Sequence, residues 1–306
     1  MTITQVPGVR VGHADDQLAK TGCTVIMTEG GATCGVDVRG SAPGTRETDL
    51  LDPVNLVDQV HAISLAGGSA YGLDAASGVM QYLEEQGVGM DVGVAKVPIV
   101  PSAILFDLAV GDASVRPDAA MGYEAAERAT EFPVIQGSVG AGTGATVGKI
   151  AGFDAVSPSG IGSASITLDN GLVVGAIVAV NAFGDVVNPS TDTILAGARN
   201  LETGEFVNSR QTLREQAVAD GFPGSNTTLA VVAANAALTK TEATKVAQVA
   251  QNAISRTMSP AHTMLDGDTV YALGTGDAHY DINVVSDLAC DTLEQAILNA
   301  VRASEA

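Results

Sequence analysis

Apolar residues along this chain fall into short runs separated by glycine and polar turns, and only a few stretches carry the three-to-four-residue repeat of a buried helix face. CTVIMTE (23–29) and CGVDVRG (34–40) flank Gly30-Gly31 and predict a β-hairpin. HAISLAGG (61–68) predicts a strand, and the stretch after it predicts a helix from Ser69, as N-cap, to Gln86, with Gly87 as its stop. Pro98 and Pro101 followed by an apolar run make 96–112 a buried strand-like segment, and Pro117 to Thr130 reads as a helix with the proline in its first turn. SASITLD (163–169), a turn at Asn170-Gly171 and LVVGAIVAV (172–180) predict a second hairpin. Its second strand is apolar on both faces and belongs in the middle of a sheet. A short helix is expected at Thr191–Arg199, in an otherwise irregular stretch from Pro189 to Asn226. Leu229–Ala234 has buried-strand length. Val246, Val249, Ala250, Ala253 and Ile254 then recur at helical spacing, with Thr239 or Thr241 at the start and Pro260 at the end, and a closing amphipathic helix covers about Ser286 to Arg302.

Composition suits a layered α/β protein. Of 306 residues, 46% are apolar, while 35 glycines against 11 aromatic residues favour tight turns and close backbone packing. Fifteen basic against 35 acidic residues give a net charge of −20, which argues against nucleic acid or an anionic membrane as partner through long-range repulsion. Cys23, Cys34 and Cys290 are odd in number and show no CxxC spacing, and the first residues lack the basic and apolar regions of a signal peptide. No apolar run approaches the roughly 20 residues of a membrane span. A cytoplasmic protein is expected.

Chemistry concentrates around GFPGSNTTLAVVAANAAL (221–238), where a Gly/Pro/Ser loop runs into Thr227, Thr228 and a buried strand. A hydroxyl is therefore set where flexible chain becomes rigid. Attack by Thr227 Oγ1 on the Asn226 carbonyl would give an ester by an N→O shift, and hydrolysis would leave Thr227 as a new N-terminus. An α-amine has a pKa of about 7.7–8 and can act as base for its own hydroxyl. Read locally, the same junction is an ordinary loop-to-strand transition. The run GSVGAGTGATVGK (137–149) fails as a phosphate loop, because five residues separate Gly142 from Gly148 and Ile150 replaces the magnesium-binding hydroxyl. It reads instead as backbone approaching a site and delivering Lys149, or as a loop ending in a surface charge. Asn181 ends an apolar strand, where an amide can donate to an oxyanion or simply form a turn. Asp266-Gly267-Asp268 heads a strand with two carboxylates one residue apart, and the same residues also fit a plain Asp-Gly turn. His13, His61, His262 and His279 have no metal-binding spacing and read as surface or structural residues; no metal or organic cofactor is expected. Arg46, Glu47 and Asp49, in the polar stretch 41–53, either line a site or serve as solvated charge.

Seven segments bear a resemblance in the same order: 6–16, 40–53, 67–87, 140–149, 180–185, 226–240 and 266–276. Together they resemble the self-processing S58-type aminopeptidases and amidases, which include the L-aminopeptidase/D-esterases, the β-aminopeptidases and the nylon-oligomer hydrolases. The resemblance implies an αββα sandwich like that of the N-terminal-nucleophile hydrolases, formed by one domain cut between Asn226 and Thr227 into 1–226 and 227–306. It implies Thr227 as nucleophile, Asp266 and Asp268 bonded to its hydroxyl and amine, Lys149 as positive charge near the amine, and Asn181 as oxyanion donor. It also implies a homo-oligomer, a tetramer of cleaved pairs. Near 104–106 such proteins often carry an aromatic hydroxyl. Here Phe106 stands there and, with Arg46 and Glu47, is a candidate for the substrate pocket. Asn235 stands where an acidic residue often follows the strand. Three functions are open: an aminopeptidase acting on small peptides or aminoacyl amides, an endo-acting amidase of the ω-amino-acid oligomer kind, and an unprocessed oligomeric binder or scaffold.

Overall fold

The computed structural model describes residues 1–216 and 226–305. Nine strands form one hydrogen-bonded network: β1 (Arg10–Asp16), β2 (Thr21–Val38), β3 (Thr45–Arg46), β4 (Gln59–Ala66), β5 (Ser102–Ile104), β6 (Ile161–Thr167), β7 (Val173–Asn181), β8 (Thr227–Ala236) and β9 (Thr269–Ala278). Their order is β6-β7-β8-β9-β2-β4-β5-β3, with β1 also paired to β2. The helices are α1 (Ala75–Glu85), α2 (Ala119–Glu127), α3 (Ser209–Gln216), α4 (Lys240–Thr257) and α5 (Ile282–Ser304).

Strand alternation sorts the buried side chains into three layers of core. On β7, β8 and β9, Val178, Val232 and Ala272 point toward a layer built with α4 and α5 residues such as Ile254, Leu293 and Ile297. The intervening positions, Ile177, Val231 and Tyr271, face the other way and meet Ile26 of β2 and Ile63 and Leu65 of β4. Beyond that layer, Cys23, Val25 and Met27 of β2 and Ala62 and Ala66 of β4 pack on Ala76, Val79 and Leu83 of α1 and Ala125 and Ala126 of α2. Period-two alternation thus gives each sheet two apolar faces, one on a helix layer and one on the other sheet, which is the αββα sandwich expected. Small residues let the layers close. A Cβ on Gly35 would lie 2.1 Å from Thr244 N of α4, and one on Gly78 of α1 would lie 1.7 Å from Ala119 O of α2.

Three expectations are corrected. Residues 23–40 are not a hairpin: β2 runs unbroken through Gly30-Gly31, with a register shift against β4 between Met27 and Ala32. Gly31 adopts φ +83°, so the pair supplies a bulge and a bend rather than a reversal. The first half of β2 pairs with β1 and the second with β9, so one strand belongs to both sheets. Ser69 does not cap a helix. At φ +56° its N–H donates to Leu105 O, and a 3₁₀ segment (Ser69–Asp74) precedes α1. The short helix expected at Thr191–Arg199 is instead a strand, Thr193–Ala196, paired with Asp185–Asn188, while the helix of this region is α3. Elsewhere the pattern holds. Thr239 closes a capping box with Glu242 at the start of α4, and β6 and β7 form the expected hairpin around Asn170-Gly171.

Candidate active site

Three strand ends meet at one edge of the β7–β8–β9 sheet. β7 and β8 are antiparallel, and their register sets Asn181, the last residue of β7, opposite Thr227, the first of β8. β9 runs parallel to β8, so its lead-in lies alongside the lead-in of β8, with Asn226 bridged to Asp266. Residues from 149, 181, 226–228 and 266–268 are thereby brought together, although up to 119 positions separate them in sequence.

Thr227 and Asn226 are 4% and 2% exposed. The bond between them therefore lies in the packed end of the sheet, not in free chain as its loop-like approach suggests; residues 221–225 of that approach lie outside the described residues. The Thr227 hydroxyl folds back and donates to Asn226 O, which also accepts the Gly267 N–H at 2.9 Å. A carbonyl with two donors is polarised toward attack. Asn226 itself is poorly satisfied: its Nδ2 reaches Leu265 O at 3.5 Å, and its Oδ1 has no hydrogen-bond partner among the described residues.

The two carboxylates frame this bond without bonding the Thr227 hydroxyl. Asp268 accepts the Thr228 N–H at 2.8 Å and contacts His262 Nδ1 at 2.8 Å. Asp266 accepts Thr263 N at 2.8 Å, Thr263 Oγ1 at 2.6 Å and Phe183 N at 3.3 Å. Burial, and then the charge of Asp268, raise the proton affinity of Asp266 above the usual carboxylate range. Because the chain is continuous at Thr227, the amine to which the resemblance ties these carboxylates is here a peptide nitrogen.

Lys149 is buried with all its polar contacts to oxygen: Thr146 O, Asn181 O and Asn181 Oδ1, each at 2.9 Å, and Ala182 O at 3.4 Å. Gly148 makes the approach possible. It adopts φ +77°, and a Cβ there would lie 1.9 Å from Ala198 N. Burial lowers the Lys149 pKa to about 7, with the Asp266 charge pulling it partly back up. The Asn181 amide is oriented on both sides. Oδ1 accepts Thr146 N at 3.0 Å as well as Lys149, and Nδ2 donates to Phe106 O at 2.9 Å. Phe106 thus meets the site through its backbone.

The remaining candidates sit further out. Arg46 donates to Ser77 Oγ and Met80 Sδ of α1, and Glu47 accepts Val100 N from the segment before β5, so both side chains are engaged away from Thr227. Their loop nevertheless borders the site, because Ala42 N donates to Asp266 O and Arg39 N to Asp268 O. Asn235 lies at the far end of β8, where it closes the β6–β7 turn through Val173 N and Gly171 O.

Sequence reading missed His262 and Asp107. His262 was indistinguishable from the other isolated histidines; only its place four residues before Asp266 hinted at a role. Burial pulls its pKa down, but the hydrogen bond to and charge of Asp268, together with Asp266, outweigh this and raise it. Asp107 is buried and accepts Gly68 N and Thr21 Oγ1, each at 2.7 Å, which fixes the chain next to the Phe106 carbonyl.

The profile of peptidase family S58 matches residues 1–306. The chain belongs to peptidase family S58. An uncharacterized aminopeptidase of Mycobacterium leprae is 43% identical to this S58 chain over 340 aligned residues, covering 99% of the chain and 91% of the relative. A 6-aminohexanoate-oligomer endohydrolase of Paenarthrobacter ureafaciens is 34% identical over 277 residues, covering 89% and 74%. Among solved structures, the L-aminopeptidase D-Ala-esterase/amidase of Ochrobactrum anthropi, described as a variant of the Ntn hydrolase fold, superimposes with a TM-score of 0.73 at 18% identity over 99% of this chain and 86% of that one. A β-aminopeptidase of Burkholderia sp. gives 0.70 at 22% identity over 99% and 86%. These two establish a shared fold. The S58 chain is a hydrolytic enzyme by its family. Among its described residues no helix is long and apolar enough to cross a membrane, and no three His, Cys, Asp or Glu side chains converge as metal ligands.

Proposed function

We propose that this S58 chain cuts itself between Asn226 and Thr227, and that the freed Thr227 is the nucleophile of an aminopeptidase acting on small peptides or aminoacyl amides. The observation that carries the reading is the Thr227 hydroxyl folded onto the carbonyl of its own preceding residue, inside a buried cluster of Lys149, Asn181, Asp266 and Asp268. Once the peptide link is broken, the α-amine accepts the hydroxyl proton, and Thr227 Oγ1 attacks a substrate carbonyl to give an ester that water hydrolyses. Asp268 holds the chain at Thr228 N. Lys149, beside the strand end, disfavours a second positive charge and keeps the amine in its free-base form. Asn181 Nδ2 has one hydrogen on Phe106 O and a second for an oxyanion.

The relative named as a 6-aminohexanoate-oligomer endohydrolase supports a second reading, endo-acting hydrolysis of ω-amino-acid oligomers with the same nucleophile. We further propose a cytoplasmic homo-oligomer, a tetramer of cleaved pairs. Three free buried cysteines and exposed Val54, Leu56, Val92 and Val94 support this proposal, and sedimentation tests the assembly.

Intact-mass measurement tests the central reading. Two fragments meeting at Asn226/Thr227 are expected. Thr227→Ala is expected to stay whole and lose amidase activity by on the order of 10⁴-fold or more, while Thr227→Ser keeps a hydroxyl and matures. A panel of L-, D- and β-aminoacyl amides and ω-amino-acid oligomers separates the two substrate readings. Activity in uncut protein, or in Thr227→Ala, overturns both.

A further inference from the structure

The Asn226 carbonyl oxygen is the atom that takes up charge when Thr227 attacks, and a backbone donor is already aimed at it: Gly267 N, at 2.9 Å. That donor is clamped by its neighbours. The carbonyl before it, Asp266 O, accepts Ala42 N at 2.9 Å, and its own carbonyl accepts Thr269 Oγ1 at 3.0 Å. The bridge between Asn226 and Asp266 sets the spacing of the two chains. Asn181, by contrast, belongs to the opposite neighbour of β8, and its amide is turned to Phe106 O. A side chain at this position would crowd the site: a Cβ on Gly267 would lie 2.8 Å from Thr227 Oγ1 and 2.8 Å from Ala42 O, so one of them must give way.

We propose that the Gly267 N–H is the oxyanion donor of the chain's own maturation, and that the missing side chain at 267 is what lets the Thr227 hydroxyl reach the bond it cuts. The inference rests on the self-processing reading above. In the step, Oγ1 forms a bond to the Asn226 carbonyl carbon, the carbonyl π pair moves onto its oxygen, and the N–H of Gly267 holds that charge. Collapse breaks the carbon–nitrogen bond, and the hydroxyl proton ends on the leaving nitrogen. Water then hydrolyses the ester, giving the Asn226 carboxylate and restoring the Thr227 hydroxyl. A fixed N–H in a water-excluded site needs no reorganisation as the charge develops, and loss of one such donor slows acyl transfer by about 10²–10³-fold.

The test uses the full chain made by cell-free translation with glycolic acid at 267, which replaces the N–H by an ester oxygen, beside Gly267→Ala, which keeps the N–H and adds a methyl. Cleavage is followed by intact mass. The ester chain is expected to mature about 100-fold more slowly than wild type, and Gly267→Ala at least tenfold more slowly. Folding is read from the melting transition of each variant in a Thr227→Ala background, where neither cleavage nor the Oγ1 clash intervenes. If the ester chain has no cooperative transition, the donor role is read from the uncut Thr227→Ala chain labelled at Gly267 N and the Asn226 carbonyl carbon: a coupling across the hydrogen bond is expected, and its absence overturns the donor role. Maturation of the ester chain at the wild-type rate overturns the donor role, and the same result for Gly267→Ala overturns the steric one. Wild-type chain that stays whole in the same translation overturns the self-processing reading itself, and this inference with it.

Discussion

Lys149 and His262 flank the candidate active site with opposite dependences on pH. Lys149 has its pKa lowered by burial from 10.5 to about 7, so between those values the unfolded chain binds more protons than the folded one. Its contribution to stability therefore improves as pH rises across that window and is flat below it. The stability advantage of wild type over Lys149→Met is expected to grow from pH 7 toward pH 10, read by thermal unfolding at several pH values. His262 has its pKa raised from 6.5, so its contribution is fully present below that value and fades as pH climbs through the folded one. His262→Ala is expected to cost about 1.5–3 kcal/mol at pH 6, as for a hydrogen bond to a charged group, and less at pH 8, read by urea unfolding at the two pH values. The difference in legibility between these residues is physical. Lys149, Asn181 and Asp266-Gly267-Asp268 sit at marked places in the sequence, after a glycine loop, at the end of an apolar run and in an acidic turn. His262 has no local signature, because its role is set by a turn that carries it back to Asp268.

Among the elements, α4 was the easiest to foresee and β2 the hardest. Thr239, Glu242 and an apolar stripe announce α4 through contacts within one or two turns, and those contacts are the ones formed. Thr239→Ala is expected to cost about 0.5–2 kcal/mol in denaturant unfolding through loss of that cap. For β2, two glycines between apolar runs give the same local signal whether the chain turns back or bulges forward. The choice is made by β4 and β9, which lie up to 28 and 240 residues beyond the end of β2 and offer partners to a continuous strand. Ser69 departs from its local signal for a similar reason, since its N–H is taken by Leu105 O, just past the end of β5. Gly35, by contrast, has a role visible only in three dimensions. Gly35→Ala forces β2 and α4 apart and is expected to destabilise by about 1–3 kcal/mol, measured by the same denaturant titration.

At the scale of the molecule, composition indicates the layered class and the family resemblance its αββα order, but no local pattern announces the meeting of three strand ends. It depends on strand order, and the order β7-β8-β9-β2 interleaves the two predicted fragments. β8 and β9 belong to 227–306, while β7 on one side and β2 on the other belong to 1–226. Cutting at Asn226 therefore leaves every ladder in place. The fragments of matured protein are expected to co-elute on size exclusion and to part only in denaturant, whereas 227–306 expressed alone leaves the outer edges of both its strands bare and is expected to be insoluble. The same interleaving makes timing part of the design. On a ribosome, Thr227 emerges before Asp266, Gly267 and β9 exist, so the hydroxyl waits without its polarising partner until translation has passed them. Under the proposed maturation, chains that stop short of Gly267 are expected to stay uncut, and a free threonine amine would be a receipt for translation carried past β9.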